Sequence, residues 1–305
     1  MLPSAPGLHR VRTGVSLPAI LVRGSTPGPT LLVSAGVHGD EYEGVHAIFE
    51  SCEALDPTAL SGSLLAVPIV NYPAHRAFSR THPVDGGNLA RAFPGRPDGS
   101  PSERLAWAFD SNFLALADFY LDLHSGGVRF AMPAMVGFEA ADPRGRSAAE
   151  AFGAPVIWGH PVIEPGRTIS AARARGIPFL YTEARGAGRI HSDDLLMMRR
   201  GIVNLLRHLK MLEGQPEIPA PPLRLQGIGN TDEGIVATAE GFWMPSVNLL
   251  EPVRSGQPLG QIVDDLGVTL ATPRAPADGL VALRRELPPV SVGDTLILLA
   301  AEEKI

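Results

Sequence analysis

Apolar residues recur along this chain in short runs, most of them closed by Gly, Asn or His. PAILVRG, TLLVSAG, SLLAVPIVN, DFYLDLHSG, AMPAMVGF, APVIWGH and IPFLYTEARG have the length and composition of buried strands. Between them the spacing turns helical. Ser100-Pro101-Ser102-Glu103 supplies a capping Ser, a Pro at the first helical position and a Glu at the third, and predicts a helix through ERLAWAFDSNFLALA. A second helix is expected from about Ser192 to Leu212, where Leu195, Leu196, Met198, Ile202, Leu205, Leu206 and Leu209 share one face. Strand-like and helix-like segments alternate from about Leu17 to Leu212. That alternation predicts an α/β domain with a mixed or parallel sheet flanked by helices.

Past that point the texture changes. EGQPEIPAPPLRL carries four prolines and reads as a linker. After it come EGIVATAEG, GFWMPSV, GQPLGQIVDD, ATPRAPADGLVAL and GDTLILLAAE, short pieces divided by Gly, Pro and Asp. They suggest a small all-β module. The expected division is residues 1–213 as the main domain, 214–222 as linker and 223–305 as the β-rich module.

Composition narrows the function classes. With 45% hydrophobic and 19% charged residues over 305 positions, the chain has enough apolar surface for a substantial core. A net charge of -6 argues against a nucleic-acid partner. No apolar run is long enough to span a bilayer, and MLPSAPGLHRVRTG has no apolar signal core, so a cytoplasmic protein without a membrane partner is expected. Cys52 is the sole cysteine, which excludes an intrachain disulfide or a thiolate metal cluster, and it reads as a structural thiol. The sequence leaves a homo-oligomer open.

Chemistry gathers at four strand ends. TLLVSAG leads to His38 and Glu41, SLLAVPIVN ends in Asn71, DFYLDLHSG delivers His124, and IPFLYTEARG delivers Glu183. Loops beyond the carboxyl ends of strands in open α/β sheets are where ligands sit. Residues up to 145 positions apart can therefore share one cleft. Two histidines and a carboxylate form a common three-ligand set for catalytic zinc. One helical turn after the strand would aim His38 and Glu41 at one point. An HxxE pair alone occurs by chance, and His9, His46, His75, His82, His160, His191 and His208 read as ordinary surface or core residues.

Taken together, GVHGDEYEG, NYPAHRAFSRTHPVDGGNLARAFPG, DLHSGG and TEARG resemble the succinylglutamate desuccinylase/aspartoacylase family, amidohydrolases related to zinc carboxypeptidases. Within it, the chain looks most similar to the branch that includes N-acetyl-diaminobutyrate deacetylases. The resemblance implies a zinc-carboxypeptidase-like α/β sheet and one Zn2+ ion held by His38, Glu41 and His124. It further implies Glu183 as the general base for a metal-activated water, Arg80 facing the polarised carbonyl, and Arg91 gripping a substrate carboxylate. The implied reaction removes a short acyl group from an N-acylated amino acid or related amine. A metallocarboxypeptidase acting on small peptides or cell-wall fragments, and a non-catalytic metal-binding protein, are the competing readings.

Two departures qualify the resemblance. The family reads NLNR where this chain reads NLAR, so Ala90 replaces an asparagine that helps hold the substrate; either Asn88 substitutes as a substrate-binding residue, or the substrate lacks that group, or activity is weak. The C-terminal module resembles a biotinyl/lipoyl-type barrel with APADGLVAL in place of its characteristic hairpin. No lysine lies between Leu223 and Glu303, which removes a carrier role and leaves covering the cleft entrance, or an oligomer contact, as the expectation. Arg129 and Arg185 are expected near the cleft mouth.

Overall fold

The computed structural model of the chain describes residues 2–12 and 17–303. Ten strands precede or bridge the change in texture: β1 (Gly7–Arg12), β2 (Pro18–Arg23), β3 (Thr26–Ala35), β4 (Ser61–Val67), β5 (Phe119–Ser125), β6 (Phe130–Ala131), β7 (Met135–Glu139), β8 (Val156–His160), β9 (Phe179–Ala184) and β10 (Leu223–Gln226). Six helices run among them: α1 (Glu43–Ala54), α2 (Tyr72–Arg76), α3 (Pro101–Asn112), α4 (Pro143–Phe152), α5 (Thr168–Ala174) and α6 (Ser192–His208). All seven strand segments read from apolar runs are strands in the fold. The Ser100 capping box is formed, with the Ser100 side chain accepting from the Glu103 N–H and Glu103 accepting from the Ser100 N–H.

The core of the sheet follows the order β1-β2-β4-β3-β5-β9-β7-β8-β10. It is mixed. β4, β3, β5 and β9 are mutually parallel, β7 runs against β9, and β1 and β2 form an antiparallel edge. The chain leaves β3 for β4 on one side and later returns to β5 on the other, so the strand order reverses between β3 and β5. This switch point opens a crevice at the carboxyl ends of the strands.

Side chains alternate strictly across the sheet. Leu31, Val33 and Ala35 of β3, Leu121 and Leu123 of β5 and Leu180 of β9 join α1, α4 and α6 in one core. Leu32, Tyr120 and Phe179 face the opposite way, into a second core with α3 and α5. Both faces being covered is why these strands read as continuous apolar runs with no polar alternation. The same parity puts Asp122 and His124 on one face of β5, and Tyr181 and Glu183 on the matching face of β9.

The remaining strands are β11 (Ile235–Val236), β12 (Gly241–Pro245), β13 (Pro252–Val253), β14 (Gly260–Val263), β15 (Thr269–Ala271), β16 (Gly279–Arg285), β17 (Pro289–Val290) and β18 (Thr295–Glu302). β12, β14, β15 and β17 make a separate four-stranded antiparallel sheet. The others extend the main sheet. β10 pairs in parallel with β8 and antiparallel with β18, and Phe130 and Ala131 of β6 pair with β16. APADGLVAL does not turn a hairpin. It carries the chain from β15, which pairs with β14, to β16, which pairs with β13 and β18.

Candidate metal centre and substrate cleft

The switch point is where the sequence-marked residues meet. After β3 the chain reverses at Gly36 and forms a turn in which the Glu41 N–H reaches the His38 carbonyl at 3.4 Å. It is a single turn and not the start of a helix, since α1 begins at Glu43. Gly39 is required there by close approach: a Cβ would stand 2.3 Å from the backbone of Ala74 and His75. Asn71 caps α2 through the Ala74 N–H and also donates to the Val37 carbonyl, so it shapes this loop from the neighbouring strand.

The turn points two side chains at a third. His38 Nδ1 lies 2.7 Å from Glu41 Oε1, and His124 Nδ1 lies 2.9 Å from Glu41 Oε2. The two imidazole centroids are 5.2 Å apart. The Ser125 N–H and Arg80 Nη1 complete the shell of the Glu41 carboxylate at 3.2 and 2.9 Å. Each imidazole is also held from behind. His124 Nε2 meets Asp122 Oδ2 at 2.9 Å, and His38 Nε2 meets Asn88 Oδ1 at 3.1 Å. Asp122 is fully buried and is fixed in turn by the hydroxyls of Ser34 and Thr168.

Glu183 stands directly across from His124 in the β5–β9 register. Its Oε2 is buried without a hydrogen-bond partner among the described residues. Such an atom is costly to leave bare, which makes it a place where a ligand or water belongs. Burial, followed by the neighbouring Glu41 carboxylate, raises its pKa to about 8 against the pull of His124 and Arg80.

The other groups are shifted in ways that suit a crowded charge cluster. Burial opposes ionisation of Glu41, but the imidazoles of His38 and His124 outweigh it and hold the carboxyl well below its usual range. Burial would likewise lower His124, yet the Asp122 and Glu41 carboxylates hold it well above the ordinary histidine value. His38 is lowered, by burial first and then by the Arg80 guanidinium.

The cluster forms one wall of a cleft lined also by Arg80, Ala90, Arg91, His160, Arg167, Thr168, Tyr181 and Glu183. Ile228, Gly229 and Thr231, which follow β10, close its far side. Asn88 contributes differently from a simple substrate contact: its carbonyl accepts from both His38 and the Ala90 N–H, capping the 3-10 turn Leu89–Arg91. Arg91 Nε and Nη2 both reach Asp232 Oδ2, at 3.1 and 2.9 Å, so this arginine already holds a carboxylate from the C-terminal segment. Arg185 turns away from the cleft toward Asp194, 3.8 Å from its Nη2. Arg129 is engaged through its backbone, whose carbonyl accepts from Glu286 and Leu287. Cys52 is buried, with burial pushing its thiol up to about 12, as expected of a structural cysteine.

Sequence reasoning missed Asp122; its one available signal was that it lies two residues from His124 in DLH and so on the same strand face. His160, Tyr181 and Arg167 carried no local signal and reach the cleft only through the sheet order.

The donor set fits a divalent metal. One donor atom each from His38, Glu41 and His124 lies within 4.8 Å of the others. Two imidazoles and a carboxylate match a catalytic zinc set, and both imidazoles have their second nitrogen anchored by an oxygen. The comparisons agree with this chemistry. Residues 27–209 match the succinylglutamate desuccinylase/aspartoacylase catalytic domain. The N-alpha-acetyl-L-2,4-diaminobutyric acid deacetylase of Halomonas elongata is 34% identical over 294 residues, covering 94% of this chain and 86% of that one. The succinylglutamate desuccinylase/aspartoacylase of Rhodobacter sphaeroides superposes with a TM-score of 0.87 at 30% identity, covering 99% and 96% of the two chains. The product-bound ectoine utilization protein EutE (DoeB) of Ruegeria pomeroyi superposes with a TM-score of 0.88 at 28% identity, covering 98% and 97%. No helix among the described residues is long and apolar enough to cross a membrane. With the catalytic-domain match spanning more than half its length, the chain belongs to the succinylglutamate desuccinylase/aspartoacylase family, whose members hydrolyse linear amides.

Proposed function

We propose that the protein removes an acetyl group from an N-acetylated amino acid, with a diamino acid of the kind named for the Halomonas elongata relative as the leading substrate. The observation that carries this reading is the convergence of His38, His124 and Glu41 on one point, with the bare Glu183 carboxyl on the adjoining strand. His38, Glu41 and His124 would hold the ion, and zinc is preferred from the donor types. When bound, such an ion polarises a carbonyl and lowers the pKa of water.

The chain's own residues supply the rest. Glu183 takes a proton from the attacking water and passes it to the departing amine, so that the leaving group exits neutral. Burial holds this carboxyl's pKa up at about 8, while the His124 and Arg80 charges, joined by a cation held by His38, Glu41 and His124, would pull it toward the carboxylate form the base needs. Arg80 donates to the oxygen on which negative charge develops, a contribution typically of about 3 kcal/mol for one donor. Arg91 offers a fork suited to a substrate carboxylate, once Asp232 yields it. Asn88 keeps His38 oriented, and Ala90 leaves room where an amide side chain would otherwise stand. A cytoplasmic setting belongs to the same reading, as does a catalytic unit of residues 1–213, a linker at 214–222 and a β-rich cover at 223–305. Support for the cover comes from Ile228, Gly229 and Thr231 in the cleft wall.

The test is metal analysis of the purified protein followed by turnover of acetyl, succinyl and formyl derivatives of amino acids, with short peptides alongside. About one zinc per chain and preferential release of acetate are expected. Faster cleavage of peptides would replace this reading with a carboxypeptidase, and bound metal with no turnover of any compound would reduce the protein to a metal binder.

A further inference from the structure

The cleft wall opposite the metal cluster contains a buried imidazole that the proposed hydrolysis does not use. His160, the last residue of β8, is 3% exposed. Its ring lies between those of Trp158 and Tyr181, at centroid distances of 5.1 and 5.6 Å. Gly229 closes a further side. It adopts a φ of +64°, and a Cβ there would stand 2.5 Å from His160 Cε1, so a glycine is needed for this loop to lie against the ring.

Both ring nitrogens are committed. Nδ1 is 2.9 Å from the Gly227 carbonyl, and Nε2 is 2.7 Å from the Tyr181 hydroxyl. A carbonyl oxygen only accepts, so Nδ1 carries the proton. Burial pulls the imidazole pKa down to about 4, which leaves the ring neutral and Nε2 bare at physiological pH. The Tyr181 hydroxyl must therefore donate to Nε2. Its only proton is used, and its oxygen presents nothing but lone pairs to the cleft. Arg167 is nearby but makes no hydrogen bond to this oxygen among the described residues, and its Nη2 donates instead to Asn230 at 3.2 Å.

We propose that Tyr181 is a specificity-determining residue whose phenol oxygen, held as an acceptor by His160 and the Gly227 carbonyl, receives an N–H of the substrate and rejects a carboxylate at that position. The proposal rests on the deacylase reading and names the group such a substrate must carry. Tyr181 and Glu183 are two residues apart on one face of β9, roughly 7 Å along the strand. The donor therefore sits several bonds from the reacting carbonyl. An acetyl group is too short to reach it and has no donor, which assigns the N–H to a second amino group on the amine portion. A carboxylate in its place would meet an oxygen with no proton to share, with the Glu183 carboxyl close by.

Tyr181→Phe keeps the ring between His160 and the cleft and deletes the acceptor. Steady-state kinetics of the metal-loaded full chain would compare Nα-acetyl-2,4-diaminobutyrate with Nα-acetyl-2-aminobutyrate, which lacks the second amine. The variant should lose roughly 10- to 100-fold in kcat/KM on the first compound, mainly through KM, and less than about 2-fold on the second. Equal losses on both would make Tyr181 merely structural and overturn the proposal. Nitrogen-15 NMR of His160 gives an independent reading. A neutral ring protonated on Nδ1 is expected at pH 7, and an Nε2-protonated ring would reverse the Tyr181 hydroxyl and end the argument. Should the wild type hydrolyse neither compound, the deacylase reading fails by itself. Calorimetric binding of 2,4-diaminobutyrate against 2-aminobutyrate then decides the Tyr181 assignment, with tighter binding of the diamine supporting it and equal affinities overturning it.

Discussion

The two walls of the cleft are restrained by different means. On the metal side, every side chain comes from the carboxyl ends of β3, β5 and β9 or the loops beside them. Apart from Glu183, whose Oε2 has no partner among the described residues, they are fixed by charged groups: His38 and His124 on Glu41, His124 on Asp122, Glu41 on Arg80. On the far side, the restraints are a backbone carbonyl, a glycine contact and a half-exposed arginine paired with an exposed aspartate. The first wall is a buried electrostatic network in which loss of one member leaves others unpaired. The second carries fewer buried charges, and Gly227, Gly229 and Asp232 follow β10, which lies beside β8. Substitutions should therefore cost far more on the first wall, and chiefly through chemistry, whereas those on the second should act through substrate choice.

The largest effect is expected from His124→Ala. It removes a donor and leaves Asp122 buried with one partner fewer, so metal content measured by elemental analysis should drop sharply and activity by roughly 10^3-fold or more. Unchanged zinc would break the ligand assignment. Glu183→Gln should give the complementary result, a loss of about 10^2- to 10^4-fold in kcat with metal retained. Comparable rates in that variant would remove Glu183 from the mechanism.

One bond further out, Asp122→Asn preserves shape but weakens the anchor behind His124. Metal affinity should fall roughly 10- to 100-fold in a chelator competition. An unchanged affinity would show that the network does not extend beyond the three ligands.

The metal-free protein offers a pH version of the same contrast. Glu183 has its carboxyl raised from an ordinary 4.5 to about 8. An acid whose folded-state pKa is raised binds its proton more tightly when folded. Its stabilising contribution is complete below about pH 4.5 and is lost as pH rises through 8. A single such proton changes stability by at most about 1.4 kcal/mol per pH unit. His124, also raised, slopes the same way, so the diagnostic is the difference between wild type and Glu183→Gln in denaturant unfolding from pH 5 to 8. The variant should show the shallower decline. Identical slopes would mean that Glu183 does not hold its proton in this range.

The contrast between the walls also explains what could be read from the sequence. His38 and Glu41 are three apart, His124 and Glu183 each close an apolar run, and short-range spacing encodes all of that. The seven strands and the Ser100-capped helix were legible for the same reason. Tyr181 lies within one of those runs, but its function depends on His160, 21 residues earlier, and on a carbonyl 67 residues past His160. Those partners are set by strand order, which no local pattern states. The role of Asn88 was hidden similarly. Its place before the turn at Leu89–Arg91 was clear, but its contact with His38, in the loop after β3 and 50 residues earlier, is a long-range one.

The smallest effect belongs to Asp232, and it tests whether the far wall tunes substrate choice. Its carboxylate occupies the two nitrogens of Arg91 that a substrate carboxylate would need. The pair is open to solvent, with Asp232 64% and Arg91 33% exposed, so its worth should be within the range of about 0.2–1 kcal/mol found for exposed ion pairs. Asp232→Asn should accordingly leave folding and metal content unchanged and lower KM for a carboxylate-bearing substrate about 2- to 5-fold, with kcat nearly constant. Raising salt should shrink the difference, because exposed charges are screened. If KM rises instead, Asp232 assists binding, and Arg91 grips its substrate with the aspartate in place. Combining Asp232→Asn with Tyr181→Phe would then separate the two contacts: additive losses would assign them to different parts of the substrate, and non-additive ones to the same part.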